Sequence, residues 1–162
     1  MRVAHLAGAE VALKQSIDVY PAPAVVTNLG NLYRQMDREQ DALACYNRAI
    51  EAAPSHLPAR VNKGRSLLAL SRLEEATTLY TDILEELPEH TNARIGLAQS
   101  LQRRGQTRAA TLHFEKALAH EPENAAALNG LGVMQKMSER PKEASRTLKC
   151  AVASAPTAPE VR

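Results

Sequence analysis

PAVVTNLGNLYRQMDREQDALACYNRAIEAAPSH, residues 23–56, is the stretch whose reading decides the fold. Its apolar residues Val25, Leu29, Leu32, Tyr33 and Met36 recur at the i, i+3/i+4 spacing of one helical face. Asp37 is read as the stop of that helix and, with Gln40 three residues on, as the cap of the next. A second stripe, Ala42, Leu43, Tyr46, Ala49, Ile50 and Ala53, runs until Pro54 ends it. The stretch is therefore expected to be two antiparallel helices joined by a short turn. Gly30 and Ala42 lack bulk where the two should cross.

Stepping outward by 34 residues returns the same landmarks. Gly30 becomes Gly64, Ala98 and Gly132; Ala42 becomes Ala76, Ala110 and Ala144. Tyr46 becomes Tyr80, Phe114 and Leu148, and Pro54 becomes Pro88, Pro122 and Pro156. A period that does not drift predicts stacked units, each burying its apolar face against its neighbours. The units are 23–56, 57–90, 91–124 and 125–158, with at least nine helices in all. In the second, Ser71 and Glu74 read as a capping box. Residues 1–22 carry Ala9, Leu13, Ser16 and Pro21 at the spacings of Ala42, Tyr46, Ala49 and Pro54. They read either as the second helix of a partial repeat or as an N-terminal cap. Residues 159–162 parallel the opening of the first full unit and read as the start of a further one, so the chain is expected to be a piece of a longer array. Leu148, Ala151 and Val152 would then form an uncovered apolar stripe, and self-association through uncapped ends is expected.

Composition narrows the class. Hydrophobic residues make up 44% but aromatics only 3%, with no Trp, so the core must be built from Ala, Leu, Val and Ile. A formal charge of +2 gives no ground for a nucleic-acid partner. Cys45 and Cys150 would lie about six helices apart at roughly 8–10 Å each, too far for a disulfide if the units stack. Two free thiols fit a reducing compartment, no apolar run reaches a membrane span, and the N-terminus makes a poor secretory signal. A cytoplasmic protein with no membrane partner is expected.

Val26, Leu29, Gly30, Tyr33, Ala42, Tyr46 and Pro54 fill, in order, the slots of W-x₂-L-G-x₂-Y, A-x₃-F and P, with Val26 at the Trp position. The chain thus resembles the tetratricopeptide repeat over 23–158 fully and over 5–22 in part. The resemblance implies an all-α, right-handed superhelical solenoid of antiparallel helix pairs. The first helix of each pair would line a concave groove holding an extended or helical segment of a partner protein.

Charge gives that expectation a sign. The first helices, 23–36, 57–70, 91–104 and 125–138, contain no Asp or Glu but carry eight cations: Arg34, Arg60, Lys63, Arg65, Arg94, Arg103, Arg104 and Lys136. A groove of one sign with apolar walls attracts an acidic ligand. On the family's geometry its inner face is formed by Thr27, Asn31, Arg34, Val61, Asn62, Arg65, Leu68, Asn92, Ile95, Gln99, Arg103, Asn129, Val133 and Lys136. Asn31 and Asn62 resemble two of the five residues with which chaperone-binding members hold a C-terminal carboxylate. The three basic ones fall here on Thr27, Asn92 and Gly96, which speaks against that ligand. Asn28 and Asn62 are similar to the asparagine ladder of O-linked sugar transferases, which breaks here at Gly96 and Gly130.

Catalytic and metal chemistry are not expected. His56 and His90 sit in equivalent turns, and His113 and His120 have no further ligand at a suitable spacing. No glycine-rich phosphate loop, nucleophile elbow or paired catalytic carboxylates are read in the sequence. The reading is a non-catalytic protein-interaction scaffold without cofactor, binding an acidic protein or peptide segment. Its alternatives are a substrate-recruiting arm of a larger enzyme and a self-assembling repeat module.

Overall fold

A computed structural model describes residues 2–19 and 21–137. Every element in them is an α-helix: α1 (Arg2–Val19), α2 (Pro23–Gln35), α3 (Glu39–Ala52), α4 (Leu57–Ala69), α5 (Leu73–Glu86), α6 (Thr91–Arg103), α7 (Thr107–His120) and α8 (Ala125–Met137). The all-α repeat architecture is as expected. The second helix expected within 125–158, with Leu148, Ala151 and Val152, lies outside the described residues. None of the described helices is long and apolar enough to cross a membrane. The chain divides into two compact units, Met1–Leu79 and Tyr80–Arg162, and α5 runs across the division.

In the first unit, Pro23 occupies the first turn of α2, where its missing N–H and fixed φ cost nothing. α2 buries Val26, Leu29, Leu32 and Tyr33 against Ala42, Tyr46 and Ala49 of α3 and Ala59 of α4. α1 joins this core through Ile17, 4% exposed, with Leu6, Ala9 and Leu13 partly buried beside it. A polar cluster on α1 and the α2–α3 corner adds to that contact. The Tyr33 hydroxyl donates to Glu10 Oε1 at 3.1 Å, and the Arg38 guanidinium lies 4.3 Å from the Tyr33 ring centre. Arg38 also reaches Glu10 at 3.4 Å and Asp41 at 2.6 Å. Lys14, above all, and the Tyr33 hydroxyl hold the Glu10 carboxyl below its usual range.

The glycines show what the small residues are for. A Cβ on Gly30 would begin 2.5 Å from Cε1 of Tyr46, so the aromatic ring fills the space at this crossing, while Ala42 is fully buried nearby. In the second unit the same rule connects neighbouring helix pairs. A Cβ on Gly96 of α6 would fall within the ring of Tyr80 on α5, and one on Gly130 of α8 within the ring of Phe114 on α7. Tyr80 and Phe114, 1% and 0% exposed, each seat on the glycine sixteen residues downstream. Gly96 and Gly130, where the resemblance to an asparagine ladder breaks, are positions that receive a ring.

The turns differ from the capping expected. Asp37 (φ 58°), Ser71 (φ 58°) and Gly105 (φ 75°) stand 34 apart, all in the left-handed region. In each, the residue's own amide and the next one donate back to the helix just ended: Asp37 to Arg34 and Arg38 to Tyr33, Ser71 to Leu68 and Arg72 to Leu67, Gly105 to Gln102 and Gln106 to Leu101. This is the double bond of a Schellman closure. Asp37 and Ser71 therefore end the first helix of the pair and do not cap the second, whose N-cap after Asp37 is Arg38 with no side-chain bond. Only Gly105 adopts this conformation without a Cβ penalty. Ser71→Gly should accordingly raise stability by about 0.5–1 kcal/mol, and Gly105→Ala should lower it by about 1–2 kcal/mol. Urea denaturation of the two variants should show opposite signs; a loss of stability in Ser71→Gly would mean the turn is not held at positive φ.

Candidate partner-binding site

The first-helix residues divide by exposure. Thr27, Val61, Leu68 and Ile95 are buried, and the Thr27 hydroxyl is committed to the Pro23 carbonyl at 2.7 Å. Asn31, Arg34, Asn62, Gln99 and Val133 are half-buried, while Arg65, Asn92, Arg103, Asn129 and Lys136 are exposed. Within the first unit, α2 and α4 bring four of them to one open pocket of about 360 Å³, lined by Asn31, Arg34, Gln35, Asn62 and Arg65. Asn31, Arg34 and Gln35 share a face because they lie three and four apart on α2. Asn62 and Arg65 are likewise three apart on α4. No carboxylate lines the pocket. The members expected on α6 and α8 belong to the second unit.

Hydrogen bonds hold the pocket's floor. Asn31 Oδ1 accepts from the Tyr46 hydroxyl at 2.8 Å and from Asn62 Nδ2 at 2.8 Å. The Arg34 guanidinium acts on the Tyr46 hydroxyl through its charge. Burial pushes the Tyr46 phenol up to about 12, with the Arg34 charge opposing it, so the group is a neutral donor across the physiological range. Glu39, at the start of α3, lies 3.6 Å from Arg34 Nε and offsets part of that charge. Gln35, Glu39 and Tyr46 were not among the expected site residues. Gln35 was legible as the residue four after Asn31; Tyr46 was read as core only, because its landmark position is equally filled by Phe114.

Other polar groups are structural. The expected turn histidine His90 caps α6, its Nδ1 accepting from the Ala93 amide at 3.1 Å. His120 pairs with Glu89 at 2.5 Å. Cys45 is a free, half-buried cysteine whose thiol is pushed up by burial and by Asp41, the opposite of what a nucleophilic thiolate needs.

Two family models described as tetratricopeptide repeat match residues 25–56 and 101–162, together more than half of the chain. The chain belongs to the tetratricopeptide-repeat family. Its helix pairs are similar in fold to MamA residues 41 to the end from Desulfovibrio magneticus RS-1, at 19% identity and TM-score 0.79, covering 94% of this chain and 87% of that one. TTC0263, a thermophilic tetratricopeptide-repeat protein of Thermus thermophilus, shares 20% identity at TM-score 0.76, over 82% and 74% of the two chains. YrrB, described as a tetratricopeptide-repeat protein with an unusual peptide-binding site, shares 20% identity at TM-score 0.69, over 96% and 81%. No curated protein matches the chain. Membership in the family makes the chain a repeat scaffold for protein interaction, a fold that is generally non-catalytic.

Proposed function

We propose that this tetratricopeptide-repeat chain, read as four repeats over 23–158, binds an acidic segment of a partner protein against the first-helix faces. In the first unit the α2–α4 pocket is the docking point. The observation that carries the reading is the pocket's lining: two guanidiniums and three side-chain amides with no carboxylate among them. The absence of acidic residues throughout α2, α4, α6 and α8 extends the same preference along the chain. The peptide-binding site named for YrrB supports a peptide as the class of ligand. Amides suit the ligand backbone, and the cations select carboxylates. Since exposed pairs contribute only about 0.2–1 kcal/mol each, the cations act more on association rate and partner choice than on total affinity.

The experiment is stopped-flow binding of extended peptides of graded charge to the full chain. Arg65→Glu should slow association of the acidic peptide about tenfold at low salt and flatten its salt dependence, with the fold unchanged. Glu85→Lys, on exposed α5 surface, should leave the rate within about twofold. The reading fails if the α5 variant abolishes binding while Arg65→Glu is silent.

A further inference from the structure

The polarity of the α2–α4 pocket has an origin in the core beneath it. The Tyr46 hydroxyl has a single hydrogen, and it goes to Asn31 Oδ1, at 2.8 Å. Asn62 Nδ2 donates to the same oxygen at 2.8 Å, and a carbonyl oxygen has two lone pairs, so both are in use. The Asn31 amide is thereby held in one orientation, and what it has left for a ligand is its N–H₂. With Arg34 and Arg65, the donors at the pocket outnumber the acceptor that Asn62 keeps in its Oδ1; the exposed Gln35 amide turns to suit whatever binds.

We infer that Tyr46 is a specificity-determining positioning residue, its hydroxyl orienting the Asn31 amide so that the pocket accepts a carboxylate side chain of the partner and rejects the isosteric amide. This rests on the reading of the pocket as a partner site. A Glu side chain meets donors with two acceptor oxygens; a Gln side chain of the same shape brings its own N–H₂ against them. Charge sets which anion. Glu39 at 3.6 Å answers Arg34, leaving a net of one positive charge from the two guanidiniums. One carboxylate matches it, whereas a phosphorylated side chain carries about −1.5 to −2. The ring and the hydroxyl of Tyr46 have separate duties: the ring fills the seat over Gly30, and the hydroxyl faces the amide.

The test uses the full chain and labelled extended decapeptides that differ only in carrying Glu, Gln or phosphoserine at alternate positions. Anisotropy measures their affinities, and the Asn31 side-chain amide is followed by NMR. The wild type should prefer the Glu peptide to the Gln peptide by about tenfold or more, with the Asn31 N–H₂ signals moving only for Glu. Tyr46→Phe keeps the ring but frees the Asn31 amide to turn over, and should narrow that preference by about three- to tenfold. Asn31→Asp keeps both accepted bonds and replaces the donors with an anionic oxygen, and should abolish or invert the preference. Should Tyr46→Phe destabilise the chain, the Asn31 N–H₂ signals of that variant, read below its unfolding transition with the Glu and Gln peptides, carry the test. An unchanged Glu-to-Gln ratio in Tyr46→Phe overturns the inference. If the ratio is nevertheless lost in Arg65→Glu, the pocket still binds acidic peptide and only the role of Tyr46 falls. Tighter binding of the phosphoserine peptide overturns the assignment to a carboxylate, and a wild type that binds none of the three overturns this inference and the pocket reading together.

Discussion

Phe114→Ala is expected to lower the stability of the chain by about 3–5 kcal/mol, the cost of deleting a large side chain that is 0% exposed. Two terms add. The benzyl group's burial is lost, and the space it leaves is walled on one side by Gly130, which has no side chain to fill it. Collapse onto Gly130 would require α7 and α8 to shift as whole helices, so little relaxation is available. Phe114→Leu refills most of the volume and should cost only about 1–1.5 kcal/mol. The measurement is denaturant unfolding with hydrogen exchange on α8. Amides of α8 should lose protection in Phe114→Ala more than those of α2, because the ring is the contact that Gly130 makes with α7. An alanine variant within about 1 kcal/mol of the parent would show that the ring does not occupy this seat.

Gly96 provides the second large effect, with a sign that separates two explanations. Glycine inside a helix is worse than alanine by about 1 kcal/mol, so at an unobstructed position Gly→Ala stabilises. Gly8 on α1 is such a position, exposed with nothing within 4 Å of where a Cβ would stand, and Gly8→Ala should gain about 0.5–1 kcal/mol. Gly96 sits in the interior of α6, yet Gly96→Ala should lose about 1–3 kcal/mol, because the methyl group would overlap the buried Tyr80 ring. Gly96→Leu should lose more. Combining Gly96→Ala with Tyr80→Leu makes room, and the double variant should be more stable than the two single losses predict by about 1 kcal/mol. If Gly96→Ala behaves like Gly8→Ala, the Tyr80 ring does not occupy the seat over Gly96.

Much of the fold was legible because a repeat states its instructions four times. The apolar spacing in 23–56 predicted the pair α2 and α3, and the undrifting Pro54, Pro88 and Pro122 predicted where the later pairs divide. Helix existence depends on local periodicity and on proline's missing N–H, both of which are written in one dimension. The small residues were legible as a class: Gly30 and Ala42 were expected at a close approach, and both are buried. Cap chemistry was less so. Asp37 and Ser71 look like N-caps by residue type, yet φ of 58° at each makes them C-terminal closures. Both roles use short polar residues at helix ends, and the backbone angle that distinguishes them leaves no mark in composition.

The site divides along the same line. Charge segregation was present in the sequence, and Asn31, Arg34, Asn62 and Arg65 were named from it together with the family resemblance; they do line one pocket. Spacing could not assign the exposure of each candidate, because Thr27, Val61, Leu68 and Ile95 share the period of their exposed neighbours and yet are buried. Nor could it distinguish Tyr46 from Phe114. Both are aromatic at the same landmark, and only in space does the Tyr46 hydroxyl lie 2.8 Å from Asn31 while the Phe114 ring rests on Gly130. Residues fifteen and sixteen positions apart on different helices meet through packing, a relation that periodicity along one helix does not encode. The sequence by itself therefore determined the helices, their pairing and the sign of the first-helix faces. The tertiary structure alone decided which ring fills which glycine seat, and which hydroxyl meets the Asn31 amide at the pocket.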